Sequence, residues 1–167
     1  MSGPVVTLKL EGLDGVLDML KQLPPEVVSK RGGPARAALR KGAVVILKQE
    51  QANLQAVTAN ATSSEQREST GLLLKNLVVT RGKAPHDGKG ERFLVRVRRK
   101  AYPRKGGKAV TTLQTANLLE YGSEKQPAEP WIRPAFATKA EEAIRTVERE
   151  MVRGIDRIVK KLAKGRR

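Results

Sequence analysis

The segment LLEYGSEKQPAEPWIRPAF, residues 118–136, concentrates the rarest residue types of the chain. It contains the only Trp, one of the two Tyr and one of the two Phe residues, together with three prolines. Proline fixes φ and has no backbone N–H, so Pro127 and Pro130 predict a stiff, extended connection with no donors at those positions. We expect Trp131 and Phe136 to anchor this connection on the aliphatic core or on a neighbouring subunit.

The charged residues of the same segment predict a specific contact. The planar guanidinium of Arg133 is suited to bind a carboxylate such as Glu120, or a carboxylate of a partner. Two interpretations of the segment stay open. It packs within one chain, or it shapes a subunit interface, since aromatic residues and Arg dominate interface hot spots.

A long amphipathic helix is predicted after the segment. Pro134 is suited to the first turn of a helix, and the apolar residues that follow are spaced three or four apart. A helix of about thirty residues is ~45 Å long, which is enough to reach a neighbouring subunit. The apolar positions, counted from Phe136, are Ala140, Ile144, Val147, Met151, Ile155, Ile158 and Leu162.

The preceding sequence predicts strands and shorter helices. Alternating or helical periodicity indicates a strand over 4–10, a helix over 13–23 and a second helix from about Pro34. A long antiparallel hairpin is predicted from 70–82 and 92–100, followed by a further strand over 111–122 that ends at Gly122. We expect mobile loops at 58–70 and 82–92 and a basic tail at 163–167.

These elements predict one α+β domain over residues 1–167. Helices and strands are grouped rather than alternating, which favours an antiparallel sheet. In this arrangement the long hairpin packs against the two N-terminal helices and the long C-terminal amphipathic helix. Aromatic residues make up only 3% of the chain and charged residues 30%, so the core is expected to be aliphatic and thin. Such a chain gains stability by burying surface against copies of itself.

The composition also excludes several classes of protein. The chain has no Cys, which excludes disulfides, thiol nucleophiles and Cys-ligated metal centres. No apolar run approaches the ~20 residues of a membrane helix, and the first twelve residues lack the pattern of a secretory signal. His86, the only histidine, lies in a cationic loop without an evident partner. We therefore expect no catalytic residues, no metal, no cofactor and no enzymatic activity.

The net charge of +16 lies mostly in two segments. Residues 81–108 contain eleven Lys and Arg against Asp87 and Glu91, and residues 152–167 contain seven against Asp156. This placement favours a surface that faces nucleic acid or an acidic partner, although a solvated loop and a basic tail give the same pattern. Aromatic residues for base stacking are nearly absent, so nucleic acid would be bound through its backbone only.

Three blocks in order resemble the small tail-component family of long-tailed bacteriophages, the neck or tail-completion proteins related to minor tail protein Z. The first block is residues 10–24 with the Ala-rich helix that follows, and the second is TGLLLKNLVV at 70–79. The third is the opening segment with the terminal helix. The matching positions are Thr70, Gly71, Leu73, Glu120, Tyr121, Gly122, Pro127, Pro130, Trp131, Ile132, Arg133, Pro134 and Ala135.

The resemblance spans nearly the whole chain, and its last block is the most specific part. There are two departures from the family pattern. Glu68 and Ser69, rather than Pro, precede Thr70, and the basic hairpin tip at 82–92 has no counterpart in it.

The resemblance implies a structural virion protein of the head-to-tail neck. Its copies would form a ring, expected to be a hexamer, that completes the tail and joins it to the head connector around the DNA channel. The implied partners are the head connector and the tail tube or tail terminator proteins, with backbone contact to genomic DNA and no membrane. The implied location is the virion, and the host cytoplasm during assembly. A sequence-independent nucleic-acid-binding protein and the tail terminator proper remain as alternatives.

Two sets of site residues follow. The candidate contacts to the DNA channel or to an acidic partner are Lys83, Lys89, Arg92, Arg96, Arg98, Arg99, Lys100, Arg104, Lys105 and Lys108. The candidate residues of a subunit interface or of the family motif are Glu120, Tyr121, Gly122, Pro130, Trp131, Arg133, Pro134 and Phe136.

Overall fold

The computed structural model describes residues 33–60, 70–83, 91–103 and 110–164. Over these residues the protein is α+β, with four helices and one two-stranded antiparallel sheet. The predicted strand over 4–10 and helix over 13–23 lie outside the described residues. The elements in order are α1 (Gly33–Asn60), α2 (Leu72–Lys75), β1 (Leu77–Arg81), β2 (Phe93–Val97), α3 (Thr112–Tyr121) and α4 (Ile132–Lys164).

The antiparallel pair of α1 and α4 forms the long axis of the described fold. The predicted second helix and terminal helix are confirmed, and α4 has 33 residues, or about 50 Å. Pro134 lies in the first turn of α4, as expected. Of the predicted apolar stripe, Val147, Met151 and Ile155 are buried against Ala38 of α1. Periodicity therefore identified the buried face of α4 correctly.

Gly154 in the middle of α4 marks a close approach of the two helices. A Cβ at this position would clash with Cβ of Pro34 and would lie 3.2 Å from its Cα. Gly42 of α1 has the same role further along, because its Cβ would meet Cγ2 of Val147 at 2.5 Å. The absence of two side chains thus lets the backbones of α1 and α4 approach each other closely.

We expect Gly154→Ala to lower the free energy of unfolding by about 1 kcal/mol. The Ala gains ~1 kcal/mol of helix propensity, but overpacking against a rigid proline ring costs ~1–3 kcal/mol. Urea denaturation followed by circular dichroism measures the change. Ala137→Gly at an exposed site of the same helix is the control and should cost only the propensity term. A Gly154→Ala protein more stable than the wild type would contradict the close approach.

The hairpin is shorter than predicted. β1 and β2 have five residues each and pair from Leu77 opposite Val97 to Arg81 opposite Phe93. A bond from the N–H of Gly82 to the carbonyl of Arg92 (2.8 Å) continues the pairing by one step. The predicted first strand instead begins with a helical turn, α2, after Gly71 at φ 64°. The side-chain amide of Asn76 donates through Nδ2 to the carbonyl of Leu72 at 2.8 Å and stabilises that turn.

The predicted strand over 111–122 is wrong, because residues 112–121 form α3. Thr111 and Gln114 form a capping box, in which each side chain bonds the backbone N–H of the other residue. This local signal fixes the start of a helix. Gly122 ends α3 rather than a strand, and its N–H donates to the carbonyl of Leu118 at 2.8 Å.

The main core lies where the short elements meet α1. Trp131 is completely buried there among apolar side chains from α1, α2, β1 and α3. Val95 and Val97 of β2 pack on the same cluster, so one face of the hairpin covers it. The buried members of this cluster are Leu54, Leu73, Leu77, Ala116 and Trp131.

The loops and termini are only partly described. Helix α1 continues through Asn60, so the expected mobile loop at 58–70 overlaps its last residues, and residues 61–69 lie outside the described part. Residues 84–90 of the second expected loop also lie outside it, so the mobility of both loops stays a prediction. The expected basic tail begins within α4, which reaches Lys164. None of the described helices is both long and apolar enough to cross a membrane.

Candidate functional site

The junction between α3 and α4 is built around the carboxylate of Glu120. This side chain is only 2% exposed. Its Oε2 accepts the N–H groups of Trp131 and Ile132, each at 2.8 Å, and its Oε1 accepts the N–H of Arg133 at 3.2 Å. The first N–H groups of a helix have no partner within the helix, and a negative charge is favourable at that end. Glu120 therefore caps α4 from the end of α3.

Arg133 closes the junction by binding Glu120, which is one of the two partners expected from the sequence. Its Nε donates to Oε1 of Glu120 at 2.8 Å, and its Nη2 donates to the backbone carbonyl of Glu120 at 3.0 Å. The guanidinium also lies 5.3 Å from the ring centroid of Tyr121, a distance suited to a cation–π contact. Burial raises the pKa of Glu120, but hydrogen bonds from Ile132, the Arg133 side chain, Trp131 and the Arg133 N–H together lower it.

The connection that precedes α4 is held at both ends. A Cβ on Gly122 (φ 73°) would lie 2.7 Å from the N of Ala128, so only glycine fits this turn. The carbonyl of Trp131 accepts a bond from Nδ2 of Asn53 at 3.0 Å, which ties the connection to α1. The anchor role predicted for Trp131 is confirmed, whereas Phe136 is only half-buried and belongs to neither buried cluster.

Glu50 of α1 is a second buried carboxyl that the sequence did not single out. It is 5% exposed and has no hydrogen-bond partner among the described residues. Burial, with a smaller effect from the charge of Glu120, raises its pKa from 4.5 to about 8. Glu50 therefore holds a proton at neutral pH, next to a carboxylate that is ionised.

The outer face of α3 has no charged side chain of its own and combines exposed apolar residues with the exposed Gln114 and Asn117. Glu120 is the only charged residue of this ten-residue helix, and it points inward. Leu113, Leu118 and Tyr121 are 41%, 39% and 57% exposed. Large exposed apolar side chains on one face are typical of a contact surface, and here they lie beside the junction that fixes the helix in place.

The described cations of the hairpin region form a second exposed surface. Arg81 is paired with Glu91 by two bonds of 2.8 and 2.6 Å. The six candidate contact residues that are described are all exposed, and none has a carboxylate partner within the described residues. They are Lys83, Arg92, Arg96, Arg98, Arg99 and Lys100. The other four, Lys89, Arg104, Lys105 and Lys108, lie outside the described residues, as does His86.

The contacts at the junction hold the start of α4 against the end of α3. In the described ranges, no three His, Cys, Asp or Glu side chains are grouped so as to hold a metal ion. The eight candidate residues of a subunit interface or of the family motif all lie within the described part of the chain. They come together around the start of α4, where Glu120, Trp131 and Arg133 make the contacts and Pro130 and Pro134 are exposed.

Comparisons with protein-family models, with curated proteins and with solved structures found no match to this chain.

Proposed function

We propose that this chain is a structural virion protein of the head-to-tail neck of a long-tailed bacteriophage. Its copies form a ring, with six-fold symmetry suggested by the family resemblance, that completes the tail and joins it to the head connector around the DNA channel. The observation that carries the proposal is the uncharged outer face of α3, on which Leu113, Leu118 and Tyr121 are exposed although the chain has a net charge of +16.

The lack of charged side chains and the exposed Tyr121 are features that this face shares with an interface centre. Charged residues are depleted and aromatic residues enriched at the centre of protein interfaces. The most specific block of the resemblance, from Glu120 to Ala135, builds the junction that holds α3 against the body of the protein. A rigidly held face with large exposed apolar side chains suits a head-to-tail contact with a different surface of the next copy, and such contacts close into rings by rotation.

The native mass of the full chain by light scattering, at low and high salt, tests the ring. Negative-stain images identify any large species. Apolar contacts persist when salt screens charges, so we expect a closed ring that survives high salt. A monomer that binds duplex DNA with a steep salt dependence would instead favour a free nucleic-acid-binding protein. The tail terminator proper is also a ring-forming protein, and labelling in virions separates it from a neck component.

We expect Leu118→Lys to break the ring. A lysine would place a charge on this uncharged face, and loss of a hot-spot contact of about 2 kcal/mol weakens each interface roughly 30-fold. Val152→Lys on α4 is the matched control, because Val152 is 37% exposed against 39% for Leu118. The mass distributions of both variants are measured at equal concentration. Equal loss of the ring in both variants would show that α3 is not the contact surface.

A further inference from the structure

A continuous cationic stripe runs along the second half of α4. At about 100° per residue, the residues from Arg149 to Lys164 that fall within one arc of about 120° are all Lys or Arg, except Glu150. The stripe residues are Arg149, Arg153, Arg157, Lys160, Lys161 and Lys164, and all six are exposed. In the sequence this region is a basic terminal segment, and helix formation brings six of its charges to one side.

The neighbouring helix adds to this charge. Lys41 of α1 pairs with Glu150 across the edge of the stripe, and Arg153 binds the same carboxylate at 3.2 Å. The one carboxylate within the arc is therefore already paired, and the exposed Asp156 lies just outside the arc. Helix α1 also begins beside the stripe, since Pro34 contacts Gly154, and its first turn has no acidic residue. The positive end of the α1 dipole thus reinforces the stripe.

A cleft of about 310 Å³ runs between the start of α1 and the stripe. Lys41 and Arg157 are among its lining residues, together with Pro34 and Gly154. The cations are thus presented by two packed helices, which fix their spacing. Cations four residues apart are separated by about 6 Å along the helix axis, and the whole stripe is about 22 Å long.

We propose that this stripe binds the phosphate backbone of duplex DNA. Duplex DNA carries about one negative charge per 1.7 Å of its axis, a dense and regular line of charge. The stripe has no aromatic side chain with which to stack the bases of a single strand. Its six cations and lack of apolar residues are unlike the centre of a protein interface, where charged residues are depleted. The apolar side of α4 packs on α1 and is not free to enter a membrane.

The stripe fits a duplex better than the hairpin cations do. Alternate residues of an extended chain share a face, so the hairpin aligns at most Arg96, Arg98 and Lys100, while Arg99 points the other way. The six cations of α4 share one side of a single helix. The inference does not require a ring, so a monomeric protein would leave it intact and would count only against the neck proposal.

Fluorescence anisotropy with the full-length protein and 30-base-pair duplexes of two unrelated sequences tests the inference. Affinity is measured from 50 to 300 mM NaCl. We expect similar affinity for both sequences and a slope of log K against log salt of about −5, since six phosphate contacts each contribute about −0.9. The triple variant Arg149→Gln, Arg157→Gln, Lys161→Gln should reduce the size of the slope by about 2.7 and weaken binding at 150 mM more than tenfold.

The matched control is the triple variant Arg96→Gln, Arg98→Gln, Arg99→Gln in the hairpin, which removes the same charge. It should change affinity less than threefold. Circular dichroism checks that both variants are folded. Equal effects of the two triples, a larger effect of the hairpin triple, or no duplex binding at 50 mM would each overturn the inference. Displacement of the duplex by polyglutamate at equal charge concentration would also overturn it, because an acidic protein would then be the better partner.

Discussion

Replacing Glu120 by Gln is expected to lower the free energy of unfolding by about 3 kcal/mol at pH 7. The wild-type carboxylate accepts three backbone N–H groups and the Nε of Arg133. Gln has one acceptor oxygen and no charge, so at least one buried N–H loses its partner and the remaining bonds weaken. Hydrogen bonds to charged groups contribute ~1.5–3 kcal/mol each, and an unsatisfied buried group costs ~1–3 kcal/mol. Denaturant titration at fixed temperature measures the change.

The pH dependence identifies the charge of Glu120 as the cause. Its pKa in the folded protein is below 4.5, so its stabilising effect is fully present above pH 4.5. This effect is lost as the pH falls through the folded-state pKa. The difference between wild type and Glu120→Gln should therefore shrink below pH 4.5. Glu129→Gln, an exposed site on the same connection, is the control. A Glu120→Gln protein as stable as this control would show that the cap does not hold α4.

The contact between Glu120 and Arg133 could be predicted from the sequence because its parts lie close along the chain. Two prolines reduce the number of conformations open to residues 127–130. The single Trp, two residues before Arg133, marks the point where the connection meets the core. The burial of Trp131 followed from the same reasoning. The direction of the capping was not foreseen, because residues 111–122 were interpreted as a strand. The capping box identifies α3 as a helix, and Glu120 then lies at the end of α3, next to the start of α4.

Other features depend on which helix faces which, and the periodicity of one helix does not contain that information. The pairing of Pro34 with Gly154 and of Gly42 with Val147 sets the register between α1 and α4. This register brings Lys41 to Glu150. The packing of α1 against the junction also brings Glu50 near Glu120. In the sequence, Glu50 follows Lys48 and Gln49 and looks like one more residue of a polar surface.

Replacing Glu50 by Gln is expected to stabilise the protein at pH 7 by about 3 kcal/mol. The unfolded chain releases the proton of Glu50 near pH 4.5, whereas the folded protein holds it to about pH 8. The free energy of unfolding is therefore not reduced by Glu50 below pH 4.5, and it falls as the pH rises from 4.5 towards 8. At pH 7 the loss is about 2.5 pH units at 1.36 kcal/mol each. Gln has nearly the same shape and no proton to lose, so the variant avoids this loss.

The pH profile of the difference between the two proteins separates this cause from better packing. The difference should be small at pH 4, grow through neutral pH and level off above pH 8, while better packing would give the same gain at every pH. Glu124→Gln, at an exposed site, should show no such profile. Because the charge of Glu120 also raises the pKa of Glu50, Glu50→Gln should stabilise less in the Glu120→Gln background. Strict additivity of the two substitutions would mean that the two carboxyl groups do not interact, and that burial alone keeps Glu50 protonated.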